Sequence, residues 1–257
     1  MSDSKSKTLV LLIAFALVVG GCHTHSSNEL IVSAAVSLKD AFNEIGALYT
    51  KRTGRAVNLN FGSSGALQKQ IESGAPVDVF ASAGVKEMDE LFAKSLIAGG
   101  SRKNFASNKL ALIAPAGGAA ISSFTDLTKP EIKKLAVGNP KTVPAGQYTQ
   151  QTLQQLQLLP TIQPKLIYAE DVRQVLDYVQ RGEVDGGVVY SSDAEEGGKN
   201  IRIVAYAADN SHDRILYPIA IMKDSQKKEA AQEFIDLVLS SEGLSILIQH
   251  GFLSTNQ

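Results

Sequence analysis

The sequence predicts an α/β protein of two lobes joined by two crossings. Three features predict it. Short branched-apolar runs alternate with amphipathic helical stretches, the pattern of βαβ units in a parallel sheet. The alternation starts afresh after Asn108-Lys109, as a second set. A late apolar run, Tyr217-Pro218-Ile219-Ala220-Ile221-Met222, followed by two helical stretches, then folds the C-terminus back on the first lobe.

The elements follow in order. Leu30 to Ala35 is a short branched-apolar run and reads as a buried strand. After Ser37, apolar residues recur at helical spacing through Leu38, Ala41, Phe42, Ile45, Leu48 and Tyr49. Ser37-Leu38-Lys39-Asp40 fits a helix start and Gly54 a stop. A strand over Val57 to Phe61 runs into Gly62-Ser63-Ser64-Gly65, where a second helix begins, carries Leu67 and Ile71, and stops near Gly74. Val77 to Ala81 is the next strand and Val85 to Phe92 the next helix. In the second set, strands are expected at Leu110 to Ala114, Ile132 to Val137, Lys165 to Tyr168 and Gly186 to Tyr190. Pro144-Ala145-Gly146 opens a helix through Leu159, and Asp171 to Arg181 forms another. The closing helices run from Lys227 to Leu239 and on to Gly251. The first lobe is thus residues 29–107 plus 217–257, and the second is 108–216.

Composition narrows the function. With 257 residues, 44% hydrophobic and 20% charged, the chain can bury a large core, and disorder is excluded. Charge is balanced, 25 basic against 26 acidic groups, which argues against a nucleic-acid binder. A single cysteine excludes a disulfide framework and a cysteine-rich zinc site.

That cysteine closes a distinct N-terminal segment. Lys5 and Lys7 precede an apolar run from Leu9 to Val19, too short for a stable membrane span and built like a secretory signal. It ends in Val19-Gly20-Gly21-Cys22, which resembles a bacterial lipobox. Residues 1–21 are expected to be a lipoprotein-type signal peptide, Cys22 the lipidated residue, and 22–28 a polar tether. His23 and His25 lack the second ligand pair of a structural metal site.

Four predicted helix starts carry small, hydroxylic or apolar residues: Ser37, Ser64, Ala145 and Val172. Helix N-termini present unpaired N–H groups and a partial positive charge, so several converging on one cleft would hold an anion without a formal counter-charge. A single serine there is far more often a plain cap. Four at strand ends carry more weight, because ligands of open α/β sheets sit at the carboxyl ends of strands. Tyr190, at another strand end, reads on its own as a half-buried aromatic.

Six segments then occur in one order: Ala34-Ala35-Val36-Ser37-Leu38, Phe61-Gly62-Ser63-Ser64-Gly65, Gly74 to Ala83, Val143-Pro144-Ala145-Gly146, Ala169-Glu170-Asp171-Val172-Arg173 and Gly187 to Ala194. Together they resemble the substrate-binding proteins of bacterial molybdate ABC transporters, over nearly all the chain from Glu29. The resemblance implies a two-lobed periplasmic-binding-protein fold of the second type, closing on one tetrahedral oxyanion, molybdate or tungstate. Carried over by position, it implies that Ser37 and Ser64 bind through hydroxyl and N–H, Ala145 and Val172 through N–H, and Tyr190 through its phenol. Ser63 is the alternative register for Ser64. It further implies a monomer in the periplasm or cell envelope, held by a lipid at Cys22, with an ABC permease as partner. No cofactor and no nucleic acid are expected.

Two rival readings differ in kind. Sulfate or phosphate would suit a similar fold. A serine hydrolase would need Ser37 or Ser64 as nucleophile, yet Gly62-Ser63-Ser64-Gly65 is not the nucleophile elbow, and neither His212 nor His250 has a pattern nominating it as base. An enzyme is therefore not expected.

Overall fold

A computed structural model of the protein describes residues 29–255. The expected signal peptide, the tether, Cys22, His23 and His25 lie outside the described residues.

The first half alternates as its apolar pattern demands. Strand β1 (Leu30–Ala35) leads through a single 3-10 turn (Val36–Leu38) into helix α1 (Lys39–Thr53). Ser37 therefore sits in the tighter turn ahead of the α-helix rather than at the α-helix start itself. Gly54 ends α1 in the left-handed conformation, φ 70°, with its N–H donated to the Thr50 carbonyl. Next come β2 (Val57–Gly62), α2 (Ser64–Glu72), β3 (Val79–Ala81), α3 (Val85–Ala93) and β4 (Lys103–Ser107).

The second set comprises β5 (Leu110–Pro115), β6 (Leu135–Gly138), α4 (Pro144–Gln155), α5 (Leu159–Ile162), β7 (Leu166–Ala169), α6 (Val172–Gln180), β8 (Gly186–Tyr190), α7 (Ser191–Glu196) and β9 (Ile201–Tyr206). The chain closes with β10 (Leu216–Ile221), α8 (Lys228–Leu239) and α9 (Ser241–Gln249).

Two five-stranded sheets result, in the orders β2-β1-β3-β10-β4 and β7-β6-β8-β5-β9. Both are mixed, which corrects the expectation of purely parallel sheets. β1 pairs parallel with β2 and β3, and β6 parallel with β7 and β8. β10 runs antiparallel to β3 and β4, and β5 antiparallel to β8 and β9. The cause is the connectivity: β5 and β10 enter their sheets from the crossings and run opposite to the βαβ strands. One crossing lies between Ser107 and Leu110, the other between Tyr206 and Leu216.

Helices cover the sheets and bury the core. In the first lobe Phe42, Phe105, Phe234, Tyr49, Tyr217 and Phe252 form a chain of ring contacts, with centroids 5.3 to 6.3 Å apart. Each such side chain taken from water contributes about 1.5–3 kcal/mol. This aromatic chain ends at Tyr190 of the second lobe, whose ring meets Tyr217 at 5.7 Å.

Candidate functional site

Every parallel strand directs its carboxyl end toward the space between the sheets. A small cavity lies there, lined by Ala35, Val36 and Ser37 after β1, Gly62, Ser63 and Ser64 after β2, and Ala83 after β3. The second lobe contributes Val143, Pro144 and Ala145, then Val172, and Tyr190 at the end of β8. All five residues singled out in the sequence, Ser37, Ser64, Ala145, Val172 and Tyr190, line this one cavity, and so does Ser63. Among the described residues no lining side chain carries a charge. A larger hollow, lined by Asn108, Lys109, His212 and Arg214, gathers no α-helix start among the described residues.

The helix starts are built locally. Asp171 caps α6, its carboxylate accepting the Gln174 N–H at 2.9 Å, which leaves Val172 as the first helical residue. Pro144 opens α4 with Ala145 second, the position proline favours because its missing N–H would have no partner there. Ser63 flanks α2 in an extended conformation and Ser64 is its first residue. Residues at these first positions have N–H groups that the helix itself cannot pair.

The hydroxyls are less free than the N–H groups. Ser64 Oγ accepts the Ala83 N–H at 2.9 Å, so its own proton remains to be given. Ser37 Oγ lies 3.2 Å from the Tyr217 phenol. Tyr190 donates its phenolic proton across the cleft to the Ala83 carbonyl at 2.9 Å. To serve an anion, that single proton must leave Ala83. Burial pushes the Tyr190 and Tyr217 phenols well above the ordinary range, so both are neutral donors.

Further contacts hold the two lobes together. The Gly65 N–H donates to the Thr142 carbonyl at 2.9 Å, and Gln147 Nε2 to Glu87 Oε1 at 2.7 Å. Arg173 pairs with Asp193 of its own lobe at 2.6 Å and with Asp40 of the first lobe at 2.7 Å. Burial raises the Asp193 carboxyl to about 6, with Arg173 offsetting part of the effect. The cation nearest the α6 start is thus engaged by two carboxylates and is absent from the cavity lining.

Sequence reasoning missed the partners of the lining groups. Ala83, Asn108 and Tyr217 hold the donors in place, yet Tyr217 and Ser37 are 180 positions apart. No local pattern marks such a pair, although the second set was expected to begin at Asn108-Lys109 and the late strand at Tyr217.

Two closed α/β lobes with an uncharged, donor-lined cavity at their strand ends define the class of two-lobed solute receptors. The chain belongs to the bacterial extracellular solute-binding protein family, whose model matches residues 30–253. It is 38% identical over 252 residues to the putative ABC transporter substrate-binding lipoprotein YvgL of Bacillus subtilis (strain 168), covering 95% of this chain and 96% of that one. It is 35% identical over 244 residues to the molybdate-binding protein ModA of Escherichia coli (strain K12), covering 93% and 94%. Among solved structures, the substrate-binding domain of a putative molybdenum ABC transporter from Clostridium difficile superimposes with a TM-score of 0.69 at 38% identity, over 88% of this chain and 99% of that one.

Proposed function

We propose that the protein is an extracytoplasmic receptor that captures molybdate or tungstate in the interlobe cavity and delivers it to an ABC importer. One observation carries the reading. Among the described residues the cavity is lined by neutral groups, with hydrogen-bond donors at helix starts from both lobes, and by no charged side chain. Molybdate at neutral pH is fully deprotonated and can only accept. Helix-start N–H groups and hydroxyls suit it, and hydrogen bonds to a charged acceptor are the stronger class. Ser37, Ser64, Ala145, Val172 and Tyr190 are the proposed contacts, with the Tyr190 proton passing from Ala83 to the anion as the lobes close on it. Family membership and the names of the relatives support the same reading.

Titration calorimetry with molybdate, tungstate, sulfate and phosphate tests it. Molybdate and tungstate should bind far more tightly than the other two. A sulfate affinity equal to that of molybdate would sink the assignment in favour of a general oxyanion receptor.

The reading includes attachment through Cys22 and a role without catalysis. Cys22→Ser should move the protein from the membrane fraction to the soluble one; unchanged fractionation refutes the anchor. Neither His212 nor His250 lines the cavity, so among the described residues no imidazole base stands beside Ser37 and Ser64. Incubation with ester and phosphate-ester substrates should yield no turnover.

A further inference from the structure

We infer that Asn108 and Tyr217 are positioning residues that order the proton of Ser37 so that it can only be donated into the cavity, which selects fully deprotonated oxyanions over protonated ones. The inference rests on the receptor reading above and concerns the same site.

The order begins at a backbone group. The Lys109 N–H can only donate, and it donates to Asn108 Oδ1 at 2.9 Å; the Ser191 hydroxyl donates to the same oxygen at 2.7 Å. The amide of Asn108 is thereby oriented, with Nδ2 facing Ser192 Oγ at 2.9 Å and the Tyr217 phenol at 3.3 Å. An amide nitrogen has donors and no acceptor, so Tyr217 receives a hydrogen bond from Asn108. The remaining polar neighbour of that phenol is Ser37 Oγ, at 3.2 Å.

Tyr217 is fully buried, and a buried hydroxyl proton left without an acceptor is costly. Its proton therefore goes to Ser37 Oγ. Ser37 then accepts from Tyr217, and its own single proton turns toward the cavity it lines. The chain Asn108 to Tyr217 to Ser37 ends on the anion, every bond running the same way. Ring contacts with Phe105 and Phe252 of its own lobe fix the Tyr217 ring whether the lobes are open or closed. An oxyanion oxygen that keeps its proton, as one of hydrogen phosphate does, meets the Ser37 proton there rather than an aimed lone pair.

A double-mutant cycle tests this. Tyr217→Phe keeps the ring packing and removes the phenol. It should weaken molybdate binding about tenfold, less than the loss of a direct hydrogen bond to the anion because Tyr217 acts through Ser37. It should also narrow the ratio of molybdate to phosphate affinity, since a released Ser37 can rotate and accept. In a Ser37→Ala background the same change should alter molybdate affinity less than about twofold, because Tyr217 acts through Ser37. Equal losses in both backgrounds, or an unchanged ratio, overturn the inference.

Asn108→Asp is the second arm and serves if Tyr217→Phe does not fold. A carboxylate in place of the amide draws the phenol proton to itself and turns the Ser37 proton onto Tyr217. Its added charge acts with or without Ser37, so the part of its effect that vanishes in Ser37→Ala reports the proton order alone; no such part overturns the inference. Wild-type protein that binds no tetrahedral oxyanion defeats the receptor reading and this inference together. Binding with additive cycles defeats the inference alone.

Discussion

Ser37 and Glu87 show how buried polar side chains at the lobe interface differ. Ser37 has a proton to give and a cavity to give it to. Ser37→Ala should weaken molybdate binding by about 1.5–3 kcal/mol, the scale of a hydrogen bond to a charged group; calorimetry that finds unchanged affinity removes Ser37 from the site. Glu87 is nearly fully buried on α3, accepts one bond from Gln147 across the cleft, and leaves Oε2 without a hydrogen-bond partner among the described residues. Burial raises its carboxyl above the usual range. The unfolded chain keeps the ordinary value, so the stability tied to this group is fully present below the usual glutamate range and is lost as pH rises through the raised one. Glu87→Gln should therefore flatten the fall in melting temperature over that window and leave the protein more stable than wild type at pH 8. Parallel melts from pH 4.5 to 8 that show the same slope for both proteins would exclude Glu87 as the source. That Ser37, Ser64, Ala145, Val172 and Tyr190 would meet at one cavity was expected from the family resemblance, since each alone read as a plain cap, an ordinary helix start or a half-buried aromatic. Asn108 and Ala83 were not legible as partners, because what they do depends on atoms brought together only by the sheets.

At the scale of elements, the helix starts are legible wherever a local group announces them. Asp171 before α6, Pro144 in α4 and Gly54 after α1 each act within a few residues of themselves. Ends without such a signal escaped. The helix opened by Pro144 stops at Gln155 rather than Leu159, and the turn passes through Gln157 at φ 57°, a left-handed position without a glycine to mark it. Strands β4 and β9 were missed as well. Both are sheet edges with partly exposed faces, so their apolar signal is diluted. Strand direction is set by which crossing feeds a strand, and no local pattern carries that. Placement of the α4 start depends on a close approach to β6: a Cβ on Gly146 would lie 2.1 Å from the Gly138 carbonyl oxygen. Gly146→Ala should push α4 off its sheet and destabilise the fold by more than the roughly 1–3 kcal/mol of ordinary overpacking. Thermal melting without ligand reads this directly, and a melting temperature within a degree of wild type would show that the contact relaxes freely.

For the molecule as a whole, binding and closure are one equilibrium. Donors from both lobes reach the ligand together only when the lobes meet, so a ligand favours the closed state by its differential affinity. The lobes come close beside the cavity at Gly65, where an added Cβ would lie 2.6 Å from the Thr142 carbonyl oxygen. In an open molecule that methyl meets nothing from the other lobe. Gly65→Ala should leave the ligand-free melting temperature unchanged or slightly raised, since alanine is the better helix residue by about 1 kcal/mol. The closed state alone carries the clash. Affinity for molybdate and for sulfate should then fall by the same factor, because the penalty lies in closing and not in any contact with the ligand. Small-angle scattering should show a smaller ligand-induced contraction than in wild type. Full contraction with undiminished affinity would mean that Thr142 yields, and that closure is limited elsewhere than at the Gly65 contact.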